Sequence, residues 1–386
     1  MALRSGALWT VRYRGSDPFG GPVLKGLSAI EGLNLLGEAK QAGAIDMFSA
    51  HDDDLVDYDP MKPLDYLDPN DPIHEKISEI KTTMTKWDLP MHMATCSLHG
   101  HPVFTAGGFT NRNPEIRKLA QEKAKRCAWI GNQLGATMAT YWVARDGFES
   151  PPTVNTDLDN CPYSWLREAL NGISEECISK NYSIKAATIE PKVNEPRGYM
   201  YLPLVGSAIA FIDRLKYPDF WGVNPEVPQH SSMGNQSPFL EIMQAAWMGK
   251  LNFLHVGGQI PGQFDDDFPL LFGPGKEEMI NIMLYLDRIG WKGVIEFDCH
   301  PLRSDLTAMV GEQRDIFYQF LNYNNRMLKL IEVIVERLKN NQAFNDSLQE
   351  LNNGLNGRQN HLKVEEAFNM ALFNVSLEEL KIVNYV

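Results

Sequence analysis

The sequence has little cysteine, and its few cysteines form no recognisable pattern. Five of them are spread over 386 residues, and no two are separated by only two other residues. Disulfide frameworks and thiolate zinc sites need cysteines that are paired or closely spaced. We therefore expect a protein of a reducing compartment, without disulfide bonds and without a zinc site built from thiolates.

Long hydrophobic runs and an excess of positive charge are also missing. No apolar stretch reaches the ~18–20 residues that a membrane-spanning helix needs, and the N-terminus lacks the basic and apolar regions of a signal peptide. Lysine and arginine number 36 against 49 acidic residues, which gives a formal net charge of -13. Such a charge repels phosphates and anionic lipids. We expect a cytoplasmic protein that binds neither nucleic acid nor membranes.

Short, β-rich apolar runs alternate with helical patterns along most of the chain. Near-continuous apolar runs are typical of strands that are covered on both faces, as in parallel sheets. The alternation predicts an α/β protein with a (β/α)8 TIM barrel. An open doubly wound sheet is the alternative, but the glycine-rich phosphate loop that favours it does not follow an early strand. The predicted strands are Ala7–Tyr13, Ala44–Ala50, Pro90–Cys96, Thr137–Val143, Ile184–Ile189, Trp221–Pro225, Leu251–Val256 and Gly293–Phe297.

The pattern changes near residue 315, where the alternation of strands and helices ends. A long helix is predicted over Ile316–Lys339, a polar stretch over Asn340–Asn360 and a short amphipathic helix over Val364–Phe373. We therefore divide the chain into a catalytic barrel of residues 1–314 and a C-terminal helical tail of residues 315–386. Outside the barrel, the tail is expected to pack on a neighbouring subunit.

Carboxylates and histidines follow most of the predicted strands. In α/β barrels the active site lies at the carboxyl ends of the strands, and here six of the eight ends carry carboxylates and five carry histidines. Carboxylates that converge in this way repel one another unless a counter-charge is present. Oxygen ligands favour Mg²⁺ or Mn²⁺, and imidazole moves the preference toward Mn²⁺, Co²⁺ or Zn²⁺. The pattern predicts a site for divalent metal ions.

Several motifs in these loops resemble the metal-dependent xylose (glucose) isomerases. They are HDDDLV at 51–56, HPVF at 101–104, GGFTN at 107–111, EPKVNEPRG at 190–198, NPEV at 224–227 and FDDD at 264–267. The motifs occur in the family's order over about residues 7 to 305. The resemblance implies an aldose–ketose isomerase that interconverts D-xylose and D-xylulose, with D-glucose and D-fructose as a further pair, by a 1,2-hydride shift assisted by two metal ions (Mg²⁺, Mn²⁺ or Co²⁺).

The resemblance also implies roles for individual residues. His51, Asp54 and Lys192 match catalytic residues: the first two open the sugar ring, and the lysine polarises the sugar carbonyl. Substrate-binding positions are Trp9, Phe19, His99 and Trp142, with Phe19 reaching into the site of a neighbouring subunit. The metal ligands are Glu190, Glu226, His255 and Asp298 in the first site, and Glu226, His230, Asp265 and Asp267 in the second. A small-molecule sugar and a homo-oligomer, either a dimer or a tetramer, follow as expected partners.

The sequence departs from the family in the pocket and in the first metal site. His255 stands where the family has an aspartate, His300 where it has a lysine, and His99 where it has a wall phenylalanine. The first change lowers the ligand charge and favours Mn²⁺ or Co²⁺ over Mg²⁺. Two alternatives therefore stay open. One is an enzyme of the same fold with another substrate or chemistry, such as an epimerase or a deoxy-sugar or C-glycoside enzyme, and the other is a relative with low activity.

Overall fold

The computed structural model describes most of the chain, and several segments and both ends lie outside the described residues. The described residues are 2–12, 27–62, 65–147, 157–193, 200–227, 236–260, 262, 267–270, 276–302, 313–354 and 357–373. Three predicted site residues, Phe19, His230 and Asp265, lie outside these ranges. Within the described ranges, no helix combines the length and the apolar character that crossing a membrane requires.

The strands form one parallel sheet that curls into a barrel. In the sheet β6 pairs with β5 and β7 pairs with β8, while β1 pairs with both β2 and β9. Only Asn224 and Pro225 separate β6 from β7, so the two are halves of the sixth strand of an eight-stranded (β/α)8 barrel, as predicted. The strands are β1 Leu3–Ala7, β2 Met47–His51, β3 Met91–Thr95, β4 Met138–Trp142, β5 Ala186–Glu190, β6 Trp221–Val223, β7 Glu226–Val227, β8 Phe253–Val256 and β9 Val294–Phe297.

Helices surround the barrel, and the large apolar core lies between them and the outer face of the strands. Several begin at a side-chain cap, such as Ser28, Asn113 and Ser237, which satisfies a free backbone N–H group of the first turn. The α-helices are α1 Leu8–Arg12, α2 Ala29–Gln41, α3 Asp52–Leu55, α4 Ile73–Trp87, α5 Pro114–Gln133, α6 Pro162–Ser179, α7 Val205–Ile212, α8 Pro238–Trp247, α9 Lys276–Arg288, α10 Gln313–Lys339, α11 Gln342–Asn352 and α12 Gly357–Phe373.

The first strand is placed earlier than the sequence predicts. The prediction was Ala7–Tyr13, whereas β1 is Leu3–Ala7 and the residues that follow form α1. Leu8, Trp9 and Val11 are buried although they are helical, and an apolar run of this length does not distinguish a strand from a buried helical turn. The shift matters for the site, because it puts Trp9 beyond the carboxyl end of β1.

The long helix α10 packs against the barrel. Arg4 in β1 forms an ion pair with Glu332 of α10 at 3.1 Å, and Asn325 donates a hydrogen bond to the carbonyl of Gly43 at 3.3 Å. This is the position of an eighth barrel helix. We therefore propose that α10 belongs to the barrel unit, which would then extend to Lys339. The boundary at residue 315 stays a sequence prediction.

The predicted polar stretch 340–360 contains a helix, α11. Asn341 caps it by accepting a hydrogen bond from the backbone N–H of Phe344 at 2.9 Å. Phe344 is buried, and Arg288 of α9 donates to Asn345 at 2.7 Å. Two asparagines of this polar stretch thus have structural roles: Asn341 caps a helix, and Asn345 contacts α9 of the same chain. Packing on a neighbouring subunit remains a prediction.

One glycine of the sixth strand has no room for a side chain. A Cβ atom at Gly222 would lie 2.5 Å from the side chain of Asn252 and 2.7 Å from the carbonyl oxygen of Lys250. Because a backbone atom cannot move aside easily, we expect Gly222→Ala to lower the free energy of unfolding by about 1–3 kcal/mol, as measured by urea denaturation.

Gly172 in α6 is the matched control for that substitution. The Cβ of an alanine there would have its nearest neighbour, Lys125 Cε, at 3.7 Å. Alanine favours helices over glycine by about 1 kcal/mol, so Gly172→Ala should raise stability. Equal effects of the two substitutions would contradict the proposed steric cause.

Candidate active site

Four buried or partly buried side chains converge where the strands end. Glu190 ends β5, Glu226 begins β7, His255 lies in β8 and Asp298 follows β9 directly. One ligand atom each of Glu190, His255 and Asp298 lies within 4.8 Å of the other two. The sequence predicted these four as the first metal site, and the fold brings all of them to the carboxyl end of the barrel.

His255 and Asp298 form the tightest contact of the cluster. His255 Nδ1 is 3.0 Å from Asp298 Oδ2 and 3.6 Å from Glu190 Oε1. Trp9 donates a hydrogen bond from Nε1 to the other oxygen of Asp298 at 2.7 Å. Burial acts to lower the pKa of His255, but the charges of Asp298 and Glu190 outweigh it and hold that pKa well above its ordinary value. Burial would raise the pKa of Asp298, but His255 and Lys192 hold it far below its usual range.

Lys192 supplies positive charge next to this cluster. Its Nζ lies 3.7 Å from Glu226 Oε2 and 4.5 Å above the ring of Trp142. Glu226 is fully buried and Lys192 is 7% exposed, so water screens this pair little. The lysine is two residues beyond the end of β5, which is why it points into the same space as Glu190.

His51 and Asp54 form a local pair at the end of β2. His51 Nδ1 is 3.0 Å from Asp54 Oδ2, and the same oxygen accepts a hydrogen bond from the backbone N–H of His51 at 3.1 Å. Burial would lower the pKa of His51, but the hydrogen bond and charge of Asp54 raise it above 6.5. The pair fixes the orientation of the imidazole ring and leaves its Nε2 for another partner.

Aromatic rings form a continuous wall beside the carboxylates. The ring centroids are 4.6 Å apart for Trp9 and His51, 5.3 Å for His51 and His99, and 4.9 Å for His99 and Trp142. Burial, aided by the charges of His51 and Lys123, holds the pKa of His99 well below its ordinary value. His99 is therefore a neutral imidazole that can both donate and accept a hydrogen bond.

The donor set of the cluster fits a divalent cation. Three carboxylates, from Glu190, Glu226 and Asp298, and one imidazole, from His255, come from four neighbouring strand ends. Carboxylates held this close need a counter-charge, and an O,O,O,N donor set suits Mg²⁺, Mn²⁺ or Co²⁺. Glu190, His255 and Asp298 would hold the ion. Glu226, the fourth predicted ligand, is the partner of His255 in the sheet register but is not one of the three residues whose ligand atoms lie within 4.8 Å of one another.

The predicted second metal site is only partly described. Asp267 Oδ2 lies 3.7 Å from His300 Nε2, and Asp267 adopts a left-handed backbone conformation with φ of 43°. Its predicted partners His230 and Asp265 lie outside the described residues. The second ion therefore remains a sequence prediction.

The acidic triplet 52–54 contains a structural carboxylate that sequence reasoning did not separate from its neighbours. Asp52 is fully buried and contacts Lys123 Nζ at 2.6 Å and Arg126 Nη1 at 3.0 Å. It also accepts a hydrogen bond from the backbone N–H of Ser97 at 3.0 Å. The available signal was two basic residues within the apolar pattern of α5. The network holds the turn that carries His51 and Asp54.

Glu296 in β9 was missed by the sequence analysis altogether. It is fully buried, accepts a hydrogen bond from Ser5 Oγ at 2.5 Å and lies 3.1 Å from His255 Nε2. The signal that could have found it is a single carboxylate inside an otherwise apolar strand. Because a buried charge needs partners, such a residue indicates a polar group across the barrel.

Comparisons with known proteins agree on the fold. No family model matches the sequence. A D-allulose 3-epimerase from Methylomonas sp. superposes with a TM-score of 0.58 at 15% identity, covering 86% of this chain and 97% of that chain. An L-ribulose 3-epimerase gives 0.57 at 15% identity (89% and 99%), and the 3-keto-D-glucoside 4-epimerase from E. coli gives 0.53 at 13% identity (82% and 98%).

The chain therefore has the (β/α)8 barrel fold that sugar epimerases use. At 13–15% identity these structures show the fold alone, and membership of the xylose isomerase family does not follow from them.

Proposed function

We propose that this chain is a divalent-metal-dependent enzyme that epimerises a sugar at the carbon next to a carbonyl group. The observation that carries the proposal is the cluster of Glu190, His255 and Asp298, whose ligand atoms lie within 4.8 Å of one another at the carboxyl end of the barrel. The fold shared with sugar 3-epimerases and a 4-epimerase favours the same class of chemistry.

Inversion of a carbon needs a proton to leave one face and return to the other. Glu190 and Asp298 reach the centre from the fifth and eighth strands of the barrel, and both lie near His255 Nδ1, at 3.6 Å and 3.0 Å. One carboxylate can take the proton from the carbon on one face and release it to solvent, while a proton that comes from solvent is added to the carbon on the opposite face. A bound divalent cation would polarise the carbonyl oxygen and stabilise the negative charge that develops there.

The remaining residues hold the sugar and keep water away. Lys192, beside Glu226 and over Trp142, can donate a hydrogen bond to the carbonyl oxygen. The wall of Trp9, His51, His99 and Trp142 offers ring faces to the C–H surface of a sugar and imidazole nitrogens to its hydroxyl groups. Sugars are recognised by such mixtures of apolar faces and a few placed polar groups.

An aldose–ketose isomerase is the second candidate. It is favoured by the bond between His51 and Asp54, because a carboxylate-oriented imidazole can take a hydroxyl proton and open a sugar ring. It is also favoured by Lys192, whose position next to the carboxylates suits an exposed carbonyl of an open-chain sugar. In this reaction hydrogen moves between adjacent carbons as a hydride.

Turnover in D₂O separates the two candidates. The protein, loaded with Mg²⁺, Mn²⁺ or Co²⁺, would be incubated with D-allulose, D-fructose, L-ribulose and D-xylose, and the products analysed by NMR. An epimer with solvent deuterium at the inverted carbon supports the proposal. An aldose–ketose product without deuterium supports the second candidate. Absence of turnover with every sugar and metal would contradict both, and removal of the metal with EDTA is the control.

The pKa of His51 provides a further test of the site. Because Asp54 raises this pKa, we expect a value above 6.5 in the wild type and a lower one in Asp54→Asn. The measurement is an NMR titration of the imidazole C–H resonances in the folded protein. His92 is the internal control, since burial lowers its pKa to about 4 and Asp54 is not among the causes. An unchanged His51 titration in the variant would show that Asp54 does not act on it.

We also propose that this protein forms a homo-oligomer, either a dimer or a tetramer. The resemblance assigns Phe19 to the site of a neighbouring subunit, and this residue lies outside the described ranges. If the assignment holds, closed symmetric assemblies are the default, and a dimer is the smallest active unit.

A further inference from the structure

We propose that Glu296 is a positioning residue of the metal centre. From the neighbouring strand, it fixes the tautomer and the ring orientation of His255. The inference rests on the proposed function insofar as it requires a divalent cation at Glu190, His255 and Asp298. It assigns a role to a buried carboxylate that takes no part in the chemistry described above.

Glu296 lies in a row of three directly paired residues. In the sheet register, Ser5 of β1 and His255 of β8 are the partners of Glu296 on its two neighbouring strands. The Oε2 atom accepts a hydrogen bond from Ser5 Oγ at 2.5 Å, and Oε1 lies 3.1 Å from His255 Nε2. Ser5 Oγ is in turn 3.1 Å from Ser49 Oγ. All four residues are buried, so the row is shielded from water.

The two nitrogens of His255 therefore face opposite partners. Nε2 faces Glu296, while Nδ1 faces Asp298 at 3.0 Å, Asn224 Nδ2 at 3.2 Å and Glu190 at 3.6 Å. A carboxylate only accepts hydrogen bonds, so the Nε2 atom carries a proton and donates it to Glu296. A cation would displace the proton on Nδ1, and the lone pair of Nδ1 would then be directed at that cation and at the carboxylates that share it. Metal-bound histidines are oriented in the same way by an outer carboxylate.

Packing alone does not account for a glutamate at this position. Several side chains of the same barrel interior are apolar, including Met93, Phe253 and Val294. A buried carboxylate is costly unless it is hydrogen-bonded, and an apolar side chain would fill the same space without that cost. The bond to His255 supplies a reason for the charge.

The test compares two substitutions of Glu296 by the affinity of the metal. Glu296→Leu removes the acceptor, and Glu296→Gln keeps one acceptor oxygen without the charge. Loss of an outer partner of a metal-bound histidine weakens metal binding by about 10–100-fold. We expect a loss in this range for Mn²⁺ or Co²⁺ with Glu296→Leu, measured by calorimetry, and a smaller loss with Glu296→Gln. The visible absorption spectrum of bound Co²⁺ should change as the nitrogen ligand loses its orientation.

Thr140→Val is the matched control. Thr140 and Thr188 form another buried hydroxyl pair inside the barrel, with their Oγ1 atoms 2.7 Å apart, away from His255. This variant also removes a buried polar group, so it can lose stability, but its affinity for Co²⁺ and its Co²⁺ spectrum should match those of the wild type.

A double-mutant cycle separates positioning from a general structural role. If Glu296 acts through His255, Glu296→Leu should cause no further loss of affinity in a His255→Ala background. An equal loss in both backgrounds would overturn the inference. So would folded Glu296→Leu and Glu296→Gln proteins that bind Co²⁺ within about twofold of the wild type, against the expected 10–100-fold loss.

The two proposals fail in different ways. A wild-type protein that binds Co²⁺ but converts no sugar would contradict the proposed function and leave the role of Glu296 intact. A wild-type protein that epimerises sugars, with unchanged metal affinity in the Glu296 variants, would overturn only the role of Glu296. A wild-type protein that binds no divalent cation would overturn both.

Discussion

Replacing Glu190 with glutamine is expected to lower kcat/KM for the sugar by at least about 10³-fold, within the range of a lost acid–base group, and to weaken Mn²⁺ binding. Glutamine keeps the size of the side chain and removes its negative charge. Glu190 is one of the three residues of the metal cluster, 3.6 Å from His255 Nδ1, and it is the proposed proton acceptor. The substitution therefore removes a ligand charge and a base together.

Loss of stability should not explain this effect. Removing one of three carboxylates relieves repulsion but also removes a partner of the buried His255. The urea unfolding of metal-free Glu190→Gln is therefore measured beside that of the metal-free wild type, and turnover is compared where both proteins are folded. Glu241→Gln is the control, because Glu241 is also partly buried but accepts a hydrogen bond from the backbone of Val205 at 2.7 Å. It should retain turnover and Mn²⁺ affinity. A Glu190→Gln enzyme with near wild-type kcat/KM would remove Glu190 from both roles.

The sequence predicts those parts of the fold that depend on the pattern of apolar and polar residues within a short segment. The runs predicted as Pro90–Cys96 and Thr137–Val143 contain β3 and β4, and the helix predicted over Ile316–Lys339 ends at the same residue as α10. Alternation of buried strands and amphipathic helices is a short-range signal, and it determines where the strand ends fall. Glu190 and Asp298 were therefore found at strand ends without any knowledge of the tertiary structure.

Pairings between distant strands could not be read in the same way. Glu296 meets His255 and Ser5 only because β9 lies between β8 and β1, and no local pattern contains that order. Lys123 has the appearance of a solvated residue on α5, yet its side chain is fully buried. The choice between an isomerase and an epimerase could not be made from local sequence patterns either. The motifs predict an isomerase, whereas the solved structures with this fold include sugar epimerases.

Lys123→Met is expected to lower the free energy of unfolding by about 3–5 kcal/mol, the usual cost of leaving a buried charge without its partner. Lys123 Nζ contacts Asp52 at 2.6 Å and Asp53 at 2.8 Å, and methionine keeps the aliphatic part of the side chain. Burial acts to lower the pKa of Lys123, but Asp52 and Asp53 raise it above its ordinary value. Its contribution to stability is therefore fully present at neutral pH and is lost only as the pH rises through that raised pKa.

The pH dependence of this loss identifies its electrostatic origin. Burial and the charge of Asp52 raise the pKa of Asp53, and Lys123 opposes them. In the wild type that pKa is about 7. Without Lys123 it rises further, so between these two values the folded variant keeps a proton that the folded wild type and the unfolded chain have both released. The destabilisation, measured by urea denaturation, should therefore be greater at about pH 8 than at about pH 5. Lys118→Met, on the exposed face of the same helix, should change stability little at either pH. A loss that is equal at both pH values would instead indicate packing as its cause.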